Sequence, residues 1–247
     1  MPSGAENINP YDHERSKTDQ VREMFDSIAP AYDFMNRAMT LGIDRIWRRR
    51  AVRMIRSENP GHILDVATGT GDVAIELAQA IDGCHVTGID LSQGMVDRGR
   101  DKVRNLGLAG RVTLQVSDCL ALPMQDNSFD CVTVAYGVRN FERLAEGYAE
   151  MLRVLKPGGL LAVLELSTPT SPVVKPFYKF YTRCIIPGIG KIVSGDSRAY
   201  TYLPESIAAV AQGDEMLAIA RSVGFVDTSF RRYTFGTCTL YLARKPR

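Results

Sequence analysis

The sequence predicts an α/β fold, a mostly parallel sheet of seven strands that closes with a C-terminal antiparallel hairpin. Three observations carry this expectation. Five short β-rich runs alternate with helical stretches between residues 62 and 164, the pattern of βαβ units. Lys156-Pro157-Gly158-Gly159 stops the last of those helices ahead of the fifth run. Two further strand-like runs are joined only by Phe235-Gly236-Thr237, long enough for a hairpin and too short for a crossover.

Residues 1–56 read as a helical extension that caps the site, and residues 57–247 as the main domain, with 168–204 inserted as a lid. The strands are expected at 62–67, 85–89, 112–116, 131–135 and 160–164. Helices are expected at 73–80, 95–106 and 141–155, where apolar residues recur three and four apart, as in Tyr148, Met151, Leu152 and Leu155. After Glu165 the alternation ends and Pro169, Pro172, Pro176 and Pro187 mark an irregular region. Helical spacing resumes at 205–210 and 215–223, and residues 226–234 and 238–244 form the hairpin.

With 247 residues, 45% hydrophobic and 23% charged, the chain can bury a sizeable core. A net charge of +2 gives little bulk attraction to nucleic acid, and no nucleic-acid partner is expected. Five scattered cysteines without a CxxC pair argue against a disulfide framework or a structural zinc and for a reduced, cytoplasmic setting. Charges alternate through the first thirty residues, where a signal peptide would need an apolar run, and no uncharged apolar stretch reaches 18 residues. Residues 172–195 are aromatic and apolar but carry Lys175, Lys179, Arg183 and Lys191. Two readings stand for them: a flap resting on lipid headgroups at the inner face of the membrane, and a packed lid with solvated lysines. Six arginines between Arg45 and Arg56 fall on every face of one helix, as on a solvated or phosphate-facing surface. A homo-oligomer is left open.

The first strand runs into Thr68-Gly69-Thr70-Gly71-Asp72 and then a helix, so Gly69, Thr70 and Gly71 lie where backbone approaches a ligand. Asp90 ends the second strand 21 residues beyond Gly69, where a carboxylate accepts the hydrogen bonds of a ribose diol. A dinucleotide would bring a pyrophosphate against Asp65 and Asp72, which repel it, whereas S-adenosylmethionine brings an ammonium and a sulfonium. Asp118 offers an acceptor for an adenine amine, with the backbone of Cys119 as a donor beside it. Met95 is placed to cover an adenine face. Leu91 and Ala135, at the ends of the second and fourth strands, complete the expected cofactor set.

Asp65 to Asp72, Asp90, Asp118 and the hairpin resemble the class I S-adenosylmethionine-dependent methyltransferases, with their Rossmann-like fold. Tyr32-Asp33-Phe34-Met35-Asn36 with Trp47, and Arg153 to Gly159 leading to Glu165-Leu166-Ser167, are similar to the two signatures of the UbiE/MenG family. Tyr136 to Asn140, and Asp196 with Tyr200, Tyr202, Leu203, Glu205 and Ser206, match the same family, so the resemblance runs from about residue 17 to the C-terminus. Asp44 stands where the family usually has a histidine, and Thr40 where it usually has serine.

The resemblance implies C-methylation of a polyprenylated quinol, demethylmenaquinol foremost and the ubiquinol precursor as a second acceptor. The ring carbon must be made electron-rich by ionising a neighbouring hydroxyl, so the reduced ring is the substrate. Arg139 is the expected stabiliser of that phenolate. It is too basic to take the proton itself, which goes to water held by Asn140. Tyr32, Tyr136, Tyr200 and Tyr202 are candidates for positioning the ring. The alternatives are a methyltransferase for another small or lipid acceptor and a non-catalytic module that binds S-adenosylmethionine or a quinone. A base-amino methyltransferase is disfavoured because Ala135-Tyr136-Gly137 lacks the proline-rich loop that such enzymes carry after the fourth strand.

Overall fold

The computed structural model describes residues 4–182 and 197–247, with side chains from Thr201 onward in the second stretch. Its strands are β1 (His62–Val66), β2 (His85–Asp90), β3 (Val112–Val116), β4 (Phe129–Ala135), β5 (Leu155–Leu166), β6 (Val226–Tyr233) and β7 (Cys238–Arg244). They form one sheet in the order β3-β2-β1-β4-β5-β7-β6. β1 to β5 are mutually parallel, and β7 lies antiparallel between β5 and β6. The expected hairpin is present. Because the chain moves outward from β1 to β3 and then returns to the other side of β1, a crevice opens at the carboxyl ends of β1 and β4.

The central strands are buried along most of their length, as strands covered on both faces must be. One face packs Tyr148, Met151, Met216 and Phe225 on Val132 and Val134, using α6 (Leu144–Val154) and α9 (Asp214–Ser222). The other packs Trp47, Ile55, Leu77 and Val96 on Ile63 and Val86, using α3 (Asp44–Arg56), α4 (Asp72–Ala80) and α5 (Gln93–Asn105). A third cluster, with Met24, Ile28, Met35, Met95 and Tyr202, gathers α1 (Lys17–Ile28), α2 (Tyr32–Thr40) and α8 (Ser197–Ala209) near the crevice. Ser16 caps α1 and Ser92 caps α5, each accepting a backbone N–H at 3.1 Å. The remaining helix, α7 (Val174–Phe180), has no buried residue.

Several boundaries differ from the expectation: the helix expected at 205–210 begins at Ser197, β4 begins at Phe129, and two further shifts have a visible local cause. α6 begins three residues later than expected because Val138–Asn140 form a 3-10 turn whose backbone leaves extended at Phe141. The Lys-Pro-Gly-Gly break lies inside β5 rather than between helix and strand. There Gly158 takes φ +78° and the register shifts between Phe129 and Cys131, with the Asp130 carboxylate bridging to Lys156 at 2.7 Å and to the backbone of β1. Cys84, Cys119, Cys131 and Cys238 are free and buried, and Cys184 lies outside the described residues. Among the described residues no helix is long and apolar enough to cross a membrane, and no group of side chains could hold a metal ion.

Candidate active site

A cleft and a cavity meet at the crevice. The cleft starts at the β1 exit, where Ala67, Gly69 and Gly71 take φ of +52°, +57° and +79° to turn the chain into α4. Gly69 lines it with bare backbone, and an added Cβ would stand 3.6 Å from the Tyr32 ring. Asp90 accepts the N–H of Gly69 at 2.8 Å and of Ser92 at 3.0 Å. A carboxylate has about four acceptor sites, so two remain for a ligand diol. Burial pushes the Asp90 carboxyl above its ordinary pKa. Asp118 accepts the Leu120 N–H at 2.9 Å through Oδ1, leaving Oδ2 for the cleft. Leu91, Cys119 and Ala135 also line it.

Four residues expected at the cofactor do not line the cleft. Asp65 is buried beneath the loop, accepting the Thr68 hydroxyl at 2.5 Å, and burial pushes its carboxyl up to about 7. Thr70 turns the other way and donates to Asp33 on α2 at 2.6 Å, while Gly71 packs against Leu114 and Gly99. Met95 is fully buried in the third cluster, because its phase on α5 aims it at Met24 and Met35. Asp72 likewise lies off the cleft. It pairs with Lys102 at 2.7 Å and with Arg48 at 3.3 Å on the outer side of the loop, and Lys102 reaches on to Asp33 at 2.5 Å. Arg48 also binds Asp44 and, at 3.0 Å, Glu76, so the arginine-rich helix hides one of its cations instead of presenting all of them. These pairs staple α2 and α3 to the glycine loop.

The cavity, about 300 Å³, lies beyond the cleft under α1, α2 and α3. Its wall is mainly apolar and aromatic, with Ile28, Met35, Met39, Trp47, Leu166 and Leu203. Phe25, Tyr32, Tyr136 and Asn140 line both spaces, so a group in the cavity can meet a group in the cleft across them. Tyr202 lines the cavity and donates to Asn140 Oδ1 at 3.1 Å. The side chain of Tyr200 lies outside the described residues. Burial raises the pKa of Tyr32, Tyr136 and Tyr202, so all three stay protonated donors at neutral pH.

Arg139 lines the cavity and is 7% exposed. Its Nη1 donates to Glu165 Oε1 at 2.8 Å and to the Tyr136 carbonyl, while its buried Nε has no hydrogen-bond partner. Burial works against the cation, but the Glu165 carboxylate together with Tyr32 and Tyr202 more than offsets it and the guanidinium stays charged. From behind, Lys17 donates to the Arg139 carbonyl at 3.0 Å and to Ala5 at 2.5 Å. Burial lowers the Lys17 ammonium to about 8. Sequence reasoning missed Lys17, Phe25 and Arg48. Arg48 alone had a signal, since it shares a helix face with Asp44, Ala51 and Ile55.

A model of the ubiE/COQ5 methyltransferase family matches residues 13–245. The chain belongs to that family. It is an S-adenosylmethionine-dependent methyltransferase. A demethylmenaquinone methyltransferase of Bacteroides fragilis is 47% identical over 97% of this chain and 98% of its own length. A ubiquinone/menaquinone biosynthesis C-methyltransferase UbiE of Geobacter sulfurreducens is 48% identical over 93% of this chain and 90% of its own. Among solved structures, the [4+2]-cyclase SpnF has a TM-score of 0.69 at 20% identity, covering 93% of this methyltransferase and 96% of that chain. A Haemonchus contortus phosphoethanolamine N-methyltransferase in complex with S-adenosyl-L-methionine has a TM-score of 0.61 at 17% identity, covering 81% and 53%. These two likenesses concern the fold.

Proposed function

We propose that this methyltransferase C-methylates the ring of a polyprenylated quinol, converting demethylmenaquinol to menaquinol in menaquinone biosynthesis. The observation that carries the reading is the unpartnered, buried Nε–H of Arg139 at the wall of a mainly apolar cavity that shares four side chains with the cofactor cleft. A buried donor without a partner is costly unless a ligand supplies the acceptor. A phenolate oxygen is such an acceptor, and the apolar wall suits the fused ring and the start of the prenyl tail.

S-adenosylmethionine supplies an electrophilic sulfonium methyl. Asp90 holds its ribose, Asp118 and the Cys119 backbone its adenine, and Gly69, Leu91 and Ala135 close around it. In the cavity Arg139 lowers the pKa of the ring hydroxyl next to the accepting carbon and holds the phenolate. Water against Asn140 takes the proton, and Tyr202 fixes Asn140 in place. Tyr32 and Tyr136 align the ring, which must bring its carbon about 3–3.5 Å from the methyl. The test is transfer of labelled methyl to short-chain demethylmenaquinol with and without dithionite. Label in the naphthol fraction under reduction alone is expected. Cofactor binding without transfer to this or the benzoquinol ring would overturn the reading.

The mouth of the cavity carries the finer part of the proposal, a cytoplasmic enzyme resting on the inner face of the membrane. Leu41 lines the cavity yet is 77% exposed, so it marks the opening. Phe235 projects between Thr234 and Thr237, and Phe177 and Phe180 flank the lining residues Tyr178 and Tyr181. These apolar tips, 62–77% exposed, come from three distant segments and are accompanied by Lys175, Lys179, Arg231 and Arg232. That combination fits an anionic bilayer. Phe177→Asp with Phe235→Asp is expected to abolish co-flotation with phosphatidylglycerol vesicles at low salt while leaving turnover of a short-chain quinol unchanged. Flotation equal to that of the unaltered protein would refute the contact.

A further inference from the structure

Two ionised side chains line the cavity among the described residues, and they have opposite signs: Arg139, and Asp44 at the start of α3. The Asp44 side chain is 4% exposed. Arg48 holds one of its oxygens, and the Thr40 hydroxyl donates to Oδ1 at 2.6 Å. About half the acceptor capacity of the carboxylate is left over. Its charge is also only partly compensated. Arg48 is shared among Asp44, Asp72 and Glu76, and of these Asp72 has a further cation, Lys102, that is itself shared with Asp33.

Tyr136 lines the same cavity: its backbone carbonyl accepts from Arg139 Nη1, and its buried hydroxyl, which has no oxygen or nitrogen partner, feels both Asp44 and Arg48.

We propose that Asp44 accepts the second ring hydroxyl of the quinol and so makes the cavity select the reduced ring over the oxidised one. This rests on the reading that the acceptor is a 1,4-diol. When the hydroxyl beside the accepting carbon ionises against Arg139, the one across the ring keeps its hydrogen and donates it to the carboxylate. An oxidised ring has no hydrogen to offer at either end, and its second carbonyl would set lone pairs against a buried anion. A site built to bond a substrate hydroxyl rejects analogues that lack it, because its own group is left unpaired. Asp44 thus acts as a specificity determinant that keeps the unreactive form from occupying the site.

Binding of 1,4-dihydroxynaphthalene, 1-naphthol and 1,4-naphthoquinone, measured by calorimetry with S-adenosylhomocysteine present and dithionite added for the diol, tests the proposal. The unaltered enzyme is expected to bind the diol at least tenfold more tightly than either of the other two. Asp44→Asn, whose amide can donate to a carbonyl, is expected to shrink the diol-to-dione ratio about tenfold, and Asp44→Glu to retain it. Equal affinities in the unaltered enzyme, or an undiminished ratio in a folded Asp44→Asn, overturn the role. Should Asp44→Asn fail to fold, the comparison of diol with 1-naphthol decides without it. Methyl transfer to demethylmenaquinol alongside equal affinities overturns Asp44's role alone. Absence of transfer together with absence of ring binding overturns the quinol reading and this one with it.

Discussion

Arg139→Ala is expected to lower kcat by about 10²–10³, the usual cost of deleting one donor aimed at developing negative charge. The same change strands Glu165, which is 1% exposed and keeps the Leu166 N–H at 2.8 Å as its nearest remaining donor. Breaking a buried pair from one side costs about 3–5 kcal/mol of stability. The two losses separate in a double variant. Arg139→Gln with Glu165→Gln removes both charges, so it should recover most of the stability and none of the rate. A role in lowering a hydroxyl pKa also has a pH signature. As pH rises from neutral toward 10 the ring hydroxyl ionises unaided, so the deficit of Arg139→Ala narrows. A deficit constant across that range would refute the electrostatic role and leave Arg139 as a strut for the β4 exit.

Asp65→Asn is expected to stabilise the ligand-free protein at pH 8 and to change it little near pH 4. Burial is the main reason the Asp65 carboxyl rises from 3.8 to about 7, with Asp90 adding like charge. Between those values the folded chain binds the extra proton and the unfolded chain does not, so stability falls as pH rises from about 4 to about 7 and levels off above. A shift of this size corresponds to about 4 kcal/mol. Asparagine keeps an oxygen to accept the Thr68 hydroxyl and carries no charge to bury. Urea melts of both proteins across this pH range give the difference directly, and parallel curves would show that Asp65 is not the group responsible.

Asp65 also marks where the sequence stops being legible. Five strands, their helices and the hairpin follow from local periodicity, and so does the position of the glycine loop at a strand exit. Which side of that loop an acid serves does not. Asp65 and Asp72 flank the same glycines as any ligand would, yet one faces the core and the other meets Lys102 and Arg48, from helices 30 and 24 residues away in sequence. The side of a residue depends on partners that spacing cannot reveal. Asp90 and Asp118 line the cleft because they sit at or just past strand ends, where the sheet itself fixes the outlook. Met95 lies in the methionine cluster, where the helix phase after Ser92 turns it. Arg139 was found as a residue, but its pairing with Glu165 needed the register of β4 on β5.

The first segments of the chain find partners far along it. Glu6 accepts the Leu144 N–H at 2.8 Å, Lys17 reaches the carbonyl of Arg139, and Trp47 donates to Thr234 at 2.8 Å, 187 residues on. During synthesis α1, α2 and α3 therefore leave the ribosome long before the surface they cover exists. Met24, Met35 and Trp47, all at most 5% exposed at the end, spend that interval in water. The roof over the cavity is made first and can be seated only once the strands and loops beneath it have been synthesised.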